Sequence, residues 1–367
     1  ISMTGDVYTG QWVDQKYEGM GCLKLQSGEV YKGSFKAGKK HGRGVYNALS
    51  GDVYSGDYDN DYKHGVGVFT MKNGDKYDGT FVGEKRSGKG TITYSNGDSW
   101  FGDWLDDKRL DGAGEMRYAS SEVYKGEFFN EKRWGDGAML YRSGEQYSGQ
   151  WRSDSRHGDG TLRYRNREVY RGQHKDNKRH GRGTMEYVNG DTFDGDYVED
   201  RRVDGKGVMK YWNSDVYTGN FVNDVRVGDG KMAYADGRLL VCKWDGGKPV
   251  DGLCNVKYIN GDRYEGTLVN LVRQQTGTMY YANGDRYEGM HRENKRNGKG
   301  IFYFANGDVF EGLWQDDIRV DGVGKLSYAT GDVYQGEFMT EKRRGNGTLY
   351  YVNGDLYEGE FDRDACE

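Results

Sequence analysis

The stretch DVYSGDYDNDYKHGVGVFTMKN, residues 52–73, contains the pattern that decides the fold. Aromatic residues and glycine alternate with other residues over 53–58, and a second alternation runs over 68–71. This period of two is typical of β-strands. The polar segment 59–64 separates the two alternations, and Asn73-Gly74 follows the second. Because both central residues of a type I′ turn need positive φ, Asn-Gly predicts a tight hairpin turn there.

The same unit recurs along the chain with a period of 23 residues. Each unit is marked by an aromatic residue (the marker) that precedes a glycine by two positions. The markers are Tyr8, Tyr31, Tyr54, Tyr77, Trp100, Tyr124, Tyr147, Tyr170, Phe193, Tyr217, Tyr264, Tyr287, Phe310, Tyr334 and Tyr357. One degenerate unit has Leu240 and Cys242 in these two positions. Four units are one residue longer, and each addition falls just before an Asp-Gly pair. The pairs begin at Asp111, Asp204, Asp251 and Asp321. Insertions confined to one place indicate a loop.

These repeats predict an all-β protein, an elongated single-sheet antiparallel meander of about 16 stacked hairpins or roughly 32 strands. At ~4.8 Å per strand, the ribbon is on the order of 150 Å long. We expect one continuous array over residues 1–367. Residues 237–277 are degenerate: they have lost an aromatic residue and several glycines and gained Pro249. Two interpretations of this segment stay open, sequence drift or a junction that bends the rod or docks a partner.

The composition excludes several classes of protein. Sixty glycines with a single proline and 14% aromatic residues fit neither collagen nor a disordered chain. A net charge of −5 disfavours a dedicated nucleic-acid binder, so no nucleic-acid partner is predicted. The sequence shows no long apolar stretch and no signal peptide, and its four scattered cysteines suit a reducing compartment.

The order Gly-Asp-x-Tyr-x-Gly-x-[Trp/Phe], a polar segment and Gly-x-Gly, as in Gly5–Gly21 and Gly284–Gly300, resembles the MORN (membrane occupation and recognition nexus) repeat. The resemblance covers nearly the whole chain. It implies a groove of β-hairpins whose aromatic face binds partner helices or peptides. Chains built almost wholly of this repeat resemble scaffolds of cilia, radial spokes and the cortical or basal cytoskeleton of protists. The repeat was also proposed to attach proteins to anionic membranes.

An aromatic ladder in the first strands is the candidate partner-binding groove. It consists of the aromatic residues that lie four positions after the marker, and a single-layer sheet cannot cover both of its faces, so some of this area should be exposed for binding. The residues are Trp12, Phe35, Tyr58, Phe81, Trp104, Phe128, Trp151, Tyr197, Phe221, Trp244, Trp314 and Phe338. Packing in the core is the alternative role. A second ladder of aromatic residues, from Tyr94 to Tyr351, is expected in the second strands.

Charged residues predict two different long edges. Asp or Glu stands two positions before the marker in fifteen units, which makes one edge acidic. The opposite edge carries a basic row that could meet anionic lipid headgroups or acidic tubulin tails. Its candidate residues are Lys39, Lys85, Lys108, Lys132, Lys178, Arg201, Lys295 and Lys342. A merely solvated edge is the favoured alternative, because carboxylates such as Asp106 and Asp107 neutralise the row locally.

No catalytic, metal or cofactor site is predicted. Four of the six histidines share one repeat position, while His174 and His291 replace the first-strand aromatic residue. Stacked units separate equal positions by ~10 Å, which is too far for ligands of one tetrahedral metal site. Residues 83–89 match GxxxxGK but continue with Gly90, where a phosphate-binding loop needs Ser or Thr. The chain is therefore not expected to be an enzyme.

Together these observations predict a non-catalytic scaffold that binds partner proteins in a cytoskeletal assembly. The resemblance places it in the cytoplasm, at a cilium or flagellum (axoneme or radial spoke) or at the cell cortex. Two alternatives stay open: a membrane tether that binds anionic phospholipids through the basic edge, and the targeting array of a larger enzyme of which this chain is a fragment. Open strand edges also favour self-association.

Overall fold

The computed structural model describes residues 5–366, so the predicted outer limits of the array, residues 1 and 367, lie outside it. All regular secondary structure in the described part is β-strand. It contains no helix long and apolar enough to cross a membrane. The all-β prediction is confirmed.

The described residues form two compact units. Unit 1 comprises residues 5–188 with Val198–Asp200, and unit 2 comprises Asn189–Tyr197 with residues 201–366. The strands of unit 1 are β1 (Val7–Val13), β2 (Lys16–Lys24), β3 (Val30–Lys36), β4 (Lys39–Asn47), β5 (Val53–Asp59), β6 (Tyr62–Thr70), β7 (Lys76–Val82), β8 (Lys85–Thr93), β9 (Ser99–Leu105), β10 (Lys108–Arg109), β11 (Gly112–Arg117), β12 (Val123–Phe129), β13 (Lys132–Leu140), β14 (Gln146–Arg152), β15 (Ser155–Arg163), β16 (Val169–Lys175) and β17 (Lys178–Glu186). The strands of unit 2 are β18 (Thr192–Val198), β19 (Arg201–Arg202), β20 (Gly205–Lys210), β21 (Val216–Val222), β22 (Val225–Ala233), β23 (Leu239–Asp245), β24 (Lys248–Pro249), β25 (Gly252–Lys257), β26 (Arg263–Val269), β27 (Val272–Tyr280), β28 (Arg286–Arg292), β29 (Lys295–Tyr303), β30 (Val309–Gln315), β31 (Ile318–Arg319), β32 (Gly322–Ser327), β33 (Val333–Met339), β34 (Lys342–Tyr350), β35 (Leu356–Asp362) and β36 (Ala365–Cys366). One continuous array, with or without a junction at 237–277, stays a prediction.

Within each unit, strands pair antiparallel with their sequence neighbours, as the meander prediction requires. In the hairpin of β5 and β6, Tyr54 lies opposite Phe69 and Gly56 opposite Gly67. Gly67 also lies opposite Gly79 of the next hairpin. The same register recurs in unit 2, for example between β28 and β29. Equal positions of successive hairpins are therefore aligned across each sheet.

The polar segment 59–64, predicted as a loop between two strands, is mostly strand. β5 continues to Asp59 and β6 begins at Tyr62, so only Asn60 and Asp61 form the turn. Their φ angles are 50° and 76°, and positive φ at both central residues is what a type I′ turn requires. The tight turn thus lies inside the polar segment and not at Asn-Gly.

Asn73-Gly74 forms a longer connection than the sequence predicts. The Gly74 N–H donates to the Met71 carbonyl oxygen (2.9 Å), and the Met71 N–H donates to that of Asp75 (2.8 Å). Gly74 alone has positive φ there, 94°. This is the pattern of a type I turn followed by a left-handed glycine, which is common in three-residue hairpin loops.

The four longer units differ from the others in their second strand. In the first of them, that strand is divided into β10 and β11 around Leu110 and Asp111. The Leu110 N–H still donates to the Asp103 carbonyl oxygen (2.9 Å), and Gly112 restarts the strand with a φ of 122°. The same division separates β19 from β20, β24 from β25, and β31 from β32. The predicted place of the insertions is confirmed, and they interrupt strands.

The core begins with a steric fit between each marker ring and the glycines of its hairpin. An ideal Cβ at Gly56 would lie 2.5 Å from the Tyr54 hydroxyl oxygen, and one at Gly67 would lie 2.4 Å from it. The hydroxyl reaches past both glycines and donates to the Asp57 carbonyl oxygen (2.9 Å). Tyr54 is 0% exposed. The glycine of Tyr-x-Gly and the second glycine of Gly-x-Gly are therefore required because the ring occupies the space of two side chains, whereas the first glycine, Gly65, has a positive φ of 64°.

A β-bulge lies beside this glycine pair. The register of β5 and β6 shifts between Gly56 and Tyr58, and that of β7 and β8 shifts between Gly79 and Phe81. Bulges bend strands and increase their twist. The marker rings lie over the glycines on one face of each hairpin, where they are buried. We call this the ring face and its opposite the outer face.

Candidate partner-binding surface

The first-strand aromatic ladder, predicted as the binding groove, lies in the core of the ring face. Of its twelve residues, only Trp12 is exposed, at 56%. The other eleven are at most 8% exposed: Phe35, Tyr58, Phe81, Trp104, Phe128, Trp151, Tyr197, Phe221, Trp244, Trp314 and Phe338. The structure therefore corrects the expectation that this ladder offers its rings to a partner, because neighbouring rings cover them.

These rings are buried because they interleave with the markers. Tyr58 lies edge-to-face between Tyr54 of its own hairpin and Tyr31 of the preceding one, with ring centroids 5.2 and 5.1 Å away. Tyr54 in turn contacts Phe81 of the following hairpin at 5.0 Å. Edge-to-face contacts at these distances contribute about 0.5–1.5 kcal/mol each beyond burial. The two sets form one zigzag that joins hairpins within each unit.

A row of cations, distinct from the eight candidate residues of the basic edge, covers this zigzag. It lies nine positions after the marker, where the first unit has Tyr17, the degenerate unit has Pro249 and the last unit has Cys366. The members of this cation row are Lys40, Lys63, Arg86, Arg109, Arg133, Arg156, Arg179, Arg202, Arg226, Arg273, Arg296, Arg319 and Arg343. Their side chains are mostly buried, for example 19% exposed in Lys63 and 15% in Arg343.

Each cation joins its hairpin to the next. The Arg86 guanidinium lies 4.4 Å from the ring centroid of Trp104 in the following hairpin. Its backbone N–H and its Nε–H both donate to Oδ1 of Asp107, at 3.1 and 2.9 Å. Asp107 occupies the second position of the following type I′ turn, where its φ is 68°. The turn carboxylate thus neutralises the charge of the guanidinium.

The second aromatic ladder remains partly exposed beside the cation row, and we call it the tyrosine row. It lies seventeen positions after the marker, or eighteen in the four longer units. Its members are Tyr94, Tyr118, Tyr141, Tyr164 and Tyr187 in unit 1, and Tyr211, Tyr234, Tyr258, Tyr281, Phe304, Tyr328 and Tyr351 in unit 2. All but Tyr351 have intermediate exposure, and Tyr351 is 37% exposed. This row is the accessible aromatic surface of the ring face.

Tyrosine and cation rows contact each other between successive hairpins. The Arg109 guanidinium donates a hydrogen bond to the Tyr94 hydroxyl of the preceding hairpin, and the Arg156 guanidinium lies 6.0 Å from the centroid of the Tyr141 ring. Burial raises the pKa of Tyr94 and Tyr141, although the nearby guanidinium opposes the shift. The hydroxyls therefore stay protonated at neutral pH. The surface offers rings, neutral hydroxyls and guanidinium groups. Some of these groups, such as Arg133, pair with a turn carboxylate, whereas the Arg156 guanidinium donates to the backbone carbonyl oxygen of Asn177.

The predicted basic edge is exposed and lies at the type I′ turns. All eight of its predicted residues are exposed: Lys39, Lys85, Lys108, Lys132, Lys178, Arg201, Lys295 and Lys342. Several lie within 4 Å of a carboxylate on the next turn, as Lys85 does with Asp106, Lys178 with Glu199 and Lys295 with Asp316. The charge of the edge is thus partly compensated, as the solvated-edge alternative assumed.

Two histidines lie inside the zigzag. His174 is 3% exposed, and its ring centroid lies 5.1 Å from those of Tyr147 and Tyr170. His291, 4% exposed, contacts Tyr264 and Tyr287 in the same way. Burial lowers the pKa of each imidazole to about 4. Within the described residues, no group of three or more potential ligands is arranged to hold a metal ion.

Comparison with known proteins gives one clear result. The profile of the MORN repeat matches more than half of the chain. The matched segments are residues 8–30, 31–53, 54–76, 77–99, 147–169, 170–192, 217–237, 287–309, 310–333 and 334–356. No curated protein matches the sequence.

Similarity to solved structures is weak. The SAS-4 (dCPAP) TCP domain of Drosophila melanogaster, in complex with a proline-rich motif of Ana2 (dSTIL), is 17% identical, with 49% of this chain and 84% of that chain covered and a TM-score of 0.22. The TCP10 domain of Danio rerio CPAP, in complex with a STIL peptide, is 10% identical, with coverages of 72% and 98% and a TM-score of 0.19. Virginiamycin B lyase of Staphylococcus aureus is 9% identical, with coverages of 80% and 83% and a TM-score of 0.13. Scores this low do not indicate a shared overall fold.

Proposed function

Because the chain belongs to the MORN-repeat family, we propose that it is a non-catalytic scaffold that binds partner proteins along the tyrosine row of its ring face. We further propose that it does so in a cytoskeletal assembly of the cytoplasm, at a cilium or flagellum or at the cell cortex. That placement follows from the resemblance to all-repeat scaffolds of the family.

The observation that carries the proposal is the alignment of partly exposed tyrosines from successive hairpins. The row from Tyr94 to Tyr187 in unit 1 repeats once per hairpin, and the partly buried cation row lies beside it. Tyrosine and arginine are among the residue types that most often supply binding energy in protein interfaces. Tyrosine also presents a large surface at a small cost in side-chain entropy. The row therefore suits a helix or an extended peptide of a partner protein.

Charge compensation distinguishes this surface from an electrostatic one. The guanidinium of Arg133 is paired with Asp154 at 3.1 Å and lies 4.5 Å from the Trp151 ring centroid, so its charge is already engaged within the protein. Binding to the tyrosine row should accordingly depend on ring contacts and hydrogen bonds. We expect a weak dependence of its affinity on salt, in contrast to binding by a basic patch.

Site-specific photo-crosslinking tests the proposal. A benzophenone side chain is placed at Tyr141, on the row, or at Tyr62, a tyrosine outside the row that is 58% exposed, and the full chain is crosslinked in native extract. The affinity of the captured partner is then measured with Y141A/Y164A and with the control Y62A. We expect Y141A/Y164A to bind the partner about 10- to 100-fold more weakly. The affinity of the control Y62A and the melting temperatures of both variants should stay unchanged. Equal affinities for the two variants would contradict the proposal.

The membrane tether remains the second candidate because all eight candidate residues of the basic edge are exposed. Vesicles of phosphatidylserine and phosphatidylcholine are sedimented with the protein at low and high salt. A tether requires binding that is lost at high salt and in K108E/K132E, whereas the scaffold proposal expects the protein to stay in the supernatant. Partial compensation of the edge by turn carboxylates, as between Lys85 and Asp106, favours the latter.

A further inference from the structure

The degenerate unit of unit 2 keeps the hairpin register although it has lost its marker. Leu240 takes the marker position, opposite Met232 on one side and Val256 on the other, and is 3% exposed. Cys242 and Cys254 take the two glycine positions, because Cys242 lies opposite Gly230 and Cys254 opposite Gly266. Both thiols are free and buried.

The three substitutions compensate one another in space. In the comparable unit of Phe310, an ideal Cβ at Gly312 would lie 2.5 Å from the ring and one at Gly324 would lie 3.0 Å from it. A complete ring therefore excludes side chains from this glycine pair, whereas the shorter Leu240 leaves room for two. Cysteine fills both places, with 7% exposure at 242 and 4% at 254.

The register places the two cysteines at neighbouring positions of the two strands. Val241 pairs with Asn255 across β23 and β25, and Cys242 and Cys254 are the next residues along the strands, just past the end of this ladder. Directly paired residues of antiparallel strands have Cα atoms about 4.5–5.5 Å apart, so two residues one step beyond such a pair lie near the range of Cα separations that a disulfide spans. The proximity of the two thiols lowers the pKa of Cys254 and raises that of Cys242. Of the two sulfurs, that of Cys254 is therefore the one assigned as the nucleophile, with Cys242 as the resolving thiol.

We propose that Cys242 and Cys254 are a modification site, a cross-strand dithiol that a peroxide oxidises reversibly to a disulfide. The Cys254 thiolate attacks one peroxide oxygen and becomes a sulfenic acid, and the other oxygen leaves as water after taking up a proton. The Cys242 sulfur then attacks the sulfenic sulfur, which forms the S–S bond and releases a second water. Two thiols lose two hydrogens in total, and one hydrogen peroxide is reduced to two waters.

The disulfide would close the hairpin at a place where it is open. The second strand of this unit is divided between β24 and β25. A covalent link from β23 to β25 next to that gap stabilises the hairpin mainly by restricting its unfolded state. The Cys22 thiol in unit 1 has no such opposite cysteine in the register, since Cys22 lies opposite Thr9 and Lys32.

Mass spectrometry of the full chain tests this site. The folded protein is treated with hydrogen peroxide at a few equivalents, quenched, denatured and alkylated, and its peptides are mapped. We expect a crosslinked peptide that joins Cys242 to Cys254, a mass loss of two hydrogens, and recovery of both thiols with dithiothreitol. The control C22S should give the same crosslink, and C242S should abolish it.

Two results would overturn the proposal. One is quantitative alkylation of both Cys242 and Cys254 after a treatment that oxidises Cys22, because the pair would then be no more than space-filling. The other is conversion of Cys254 to sulfinic acid without a crosslink, since a competent resolving thiol would intercept the sulfenic acid first. Hydrogen exchange of C242S, compared with the parent, verifies that the variant remains folded.

Discussion

Restoring the ring in the degenerate hairpin should destabilise it. Leu240→Tyr places a ring where two thiols now lie. In the units of Phe193 and Phe310, ring atoms lie 2.5 Å from an ideal Cβ at the first glycine and 2.8 or 3.0 Å from one at the second, whereas carbon atoms in contact prefer about 3.5–4.0 Å. Either Cys242 and Cys254 or the ring must therefore move within a buried site. Overpacking of this kind costs about 2 kcal/mol, within the usual range of roughly 1–3 kcal/mol.

The same substitution should be harmless once the glycines are restored. In C242G/C254G, the ring regains the space that it has in every regular unit, so we expect no penalty for Leu240→Tyr and a coupling free energy of about 2 kcal/mol. Leu240→Met, which conserves volume, is the matched control and should change stability by less than about 1.5 kcal/mol.

Hydrogen exchange followed by mass spectrometry measures the local stability of each variant in this double-mutant cycle, without assuming that the whole chain unfolds in one step. In peptides from β23 and β25, a decrease of about 2 kcal/mol in the local free energy of unfolding makes amide exchange about 30-fold faster. Peptides from β33 and β34, several hairpins away, should not change. Equal acceleration by Leu240→Tyr in both backgrounds would refute the steric argument.

Three further predictions follow from the ring face. Asp107→Ala should lower the free energy of unfolding by about 1–2 kcal/mol, because it removes the acceptor of a charged hydrogen bond at a left-handed residue. Asp107→Asn should lower it by less than about 0.5 kcal/mol. Denaturation of both variants measures these losses, and equal losses would contradict the prediction. Gly67→Ala should destabilise its hairpin by about 2 kcal/mol, because the new Cβ would lie 2.4 Å from the Tyr54 hydroxyl oxygen. Amide exchange in β5 and β6 measures this loss. Unchanged exchange would disprove the steric fit between the Tyr54 ring and Gly67. The pKa of His174 and His291 falls from the usual 6.5 to about 4 on folding, so the unfolded chain binds more protons between these values, and the free energy of unfolding should fall as pH drops from about 6.5 to about 4. At about pH 5 the free energy of unfolding is lower by about 2 kcal/mol per histidine. Melting curves of H174F/H291F should therefore depend less on pH than those of the parent. Identical pH dependence would show that the two histidines are not its cause.

The sequence predicts the strand pairing and the stacking of hairpins well because a 23-residue period repeats every local signal many times. Asn73-Gly74 is misleading about turn type, since the same dipeptide also ends a three-residue loop. The true type I′ turn at Asn60 and Asp61 has no glycine. Its residues adopt positive φ less readily than glycine does, so it gives a weaker signal.

The face on which each basic residue lies could not be predicted, because two adjacent basic positions of each unit give one signal in the sequence. In the structure both positions lie at the start of a strand, where neighbouring side chains point to opposite faces. Lys85 is therefore exposed at the turn, while Arg86 packs over the Trp104 ring. The sequence also predicts an accessible first-strand ladder, because the 23-residue period does not show that rings of successive hairpins interleave edge-to-face and cover one another.

The direction of the contacts between hairpins has a consequence for synthesis on the ribosome. Members of the cation row donate their backbone N–H to a turn carboxylate of the hairpin that comes later in the chain, as Lys40, Arg133 and Arg296 do. A nascent hairpin therefore stays incomplete until its successor emerges. At typical rates of elongation, one repeat takes about 1–5 s to synthesise, so folding should trail translation by one repeat, with an unpaired strand edge exposed near the exit of the tunnel throughout.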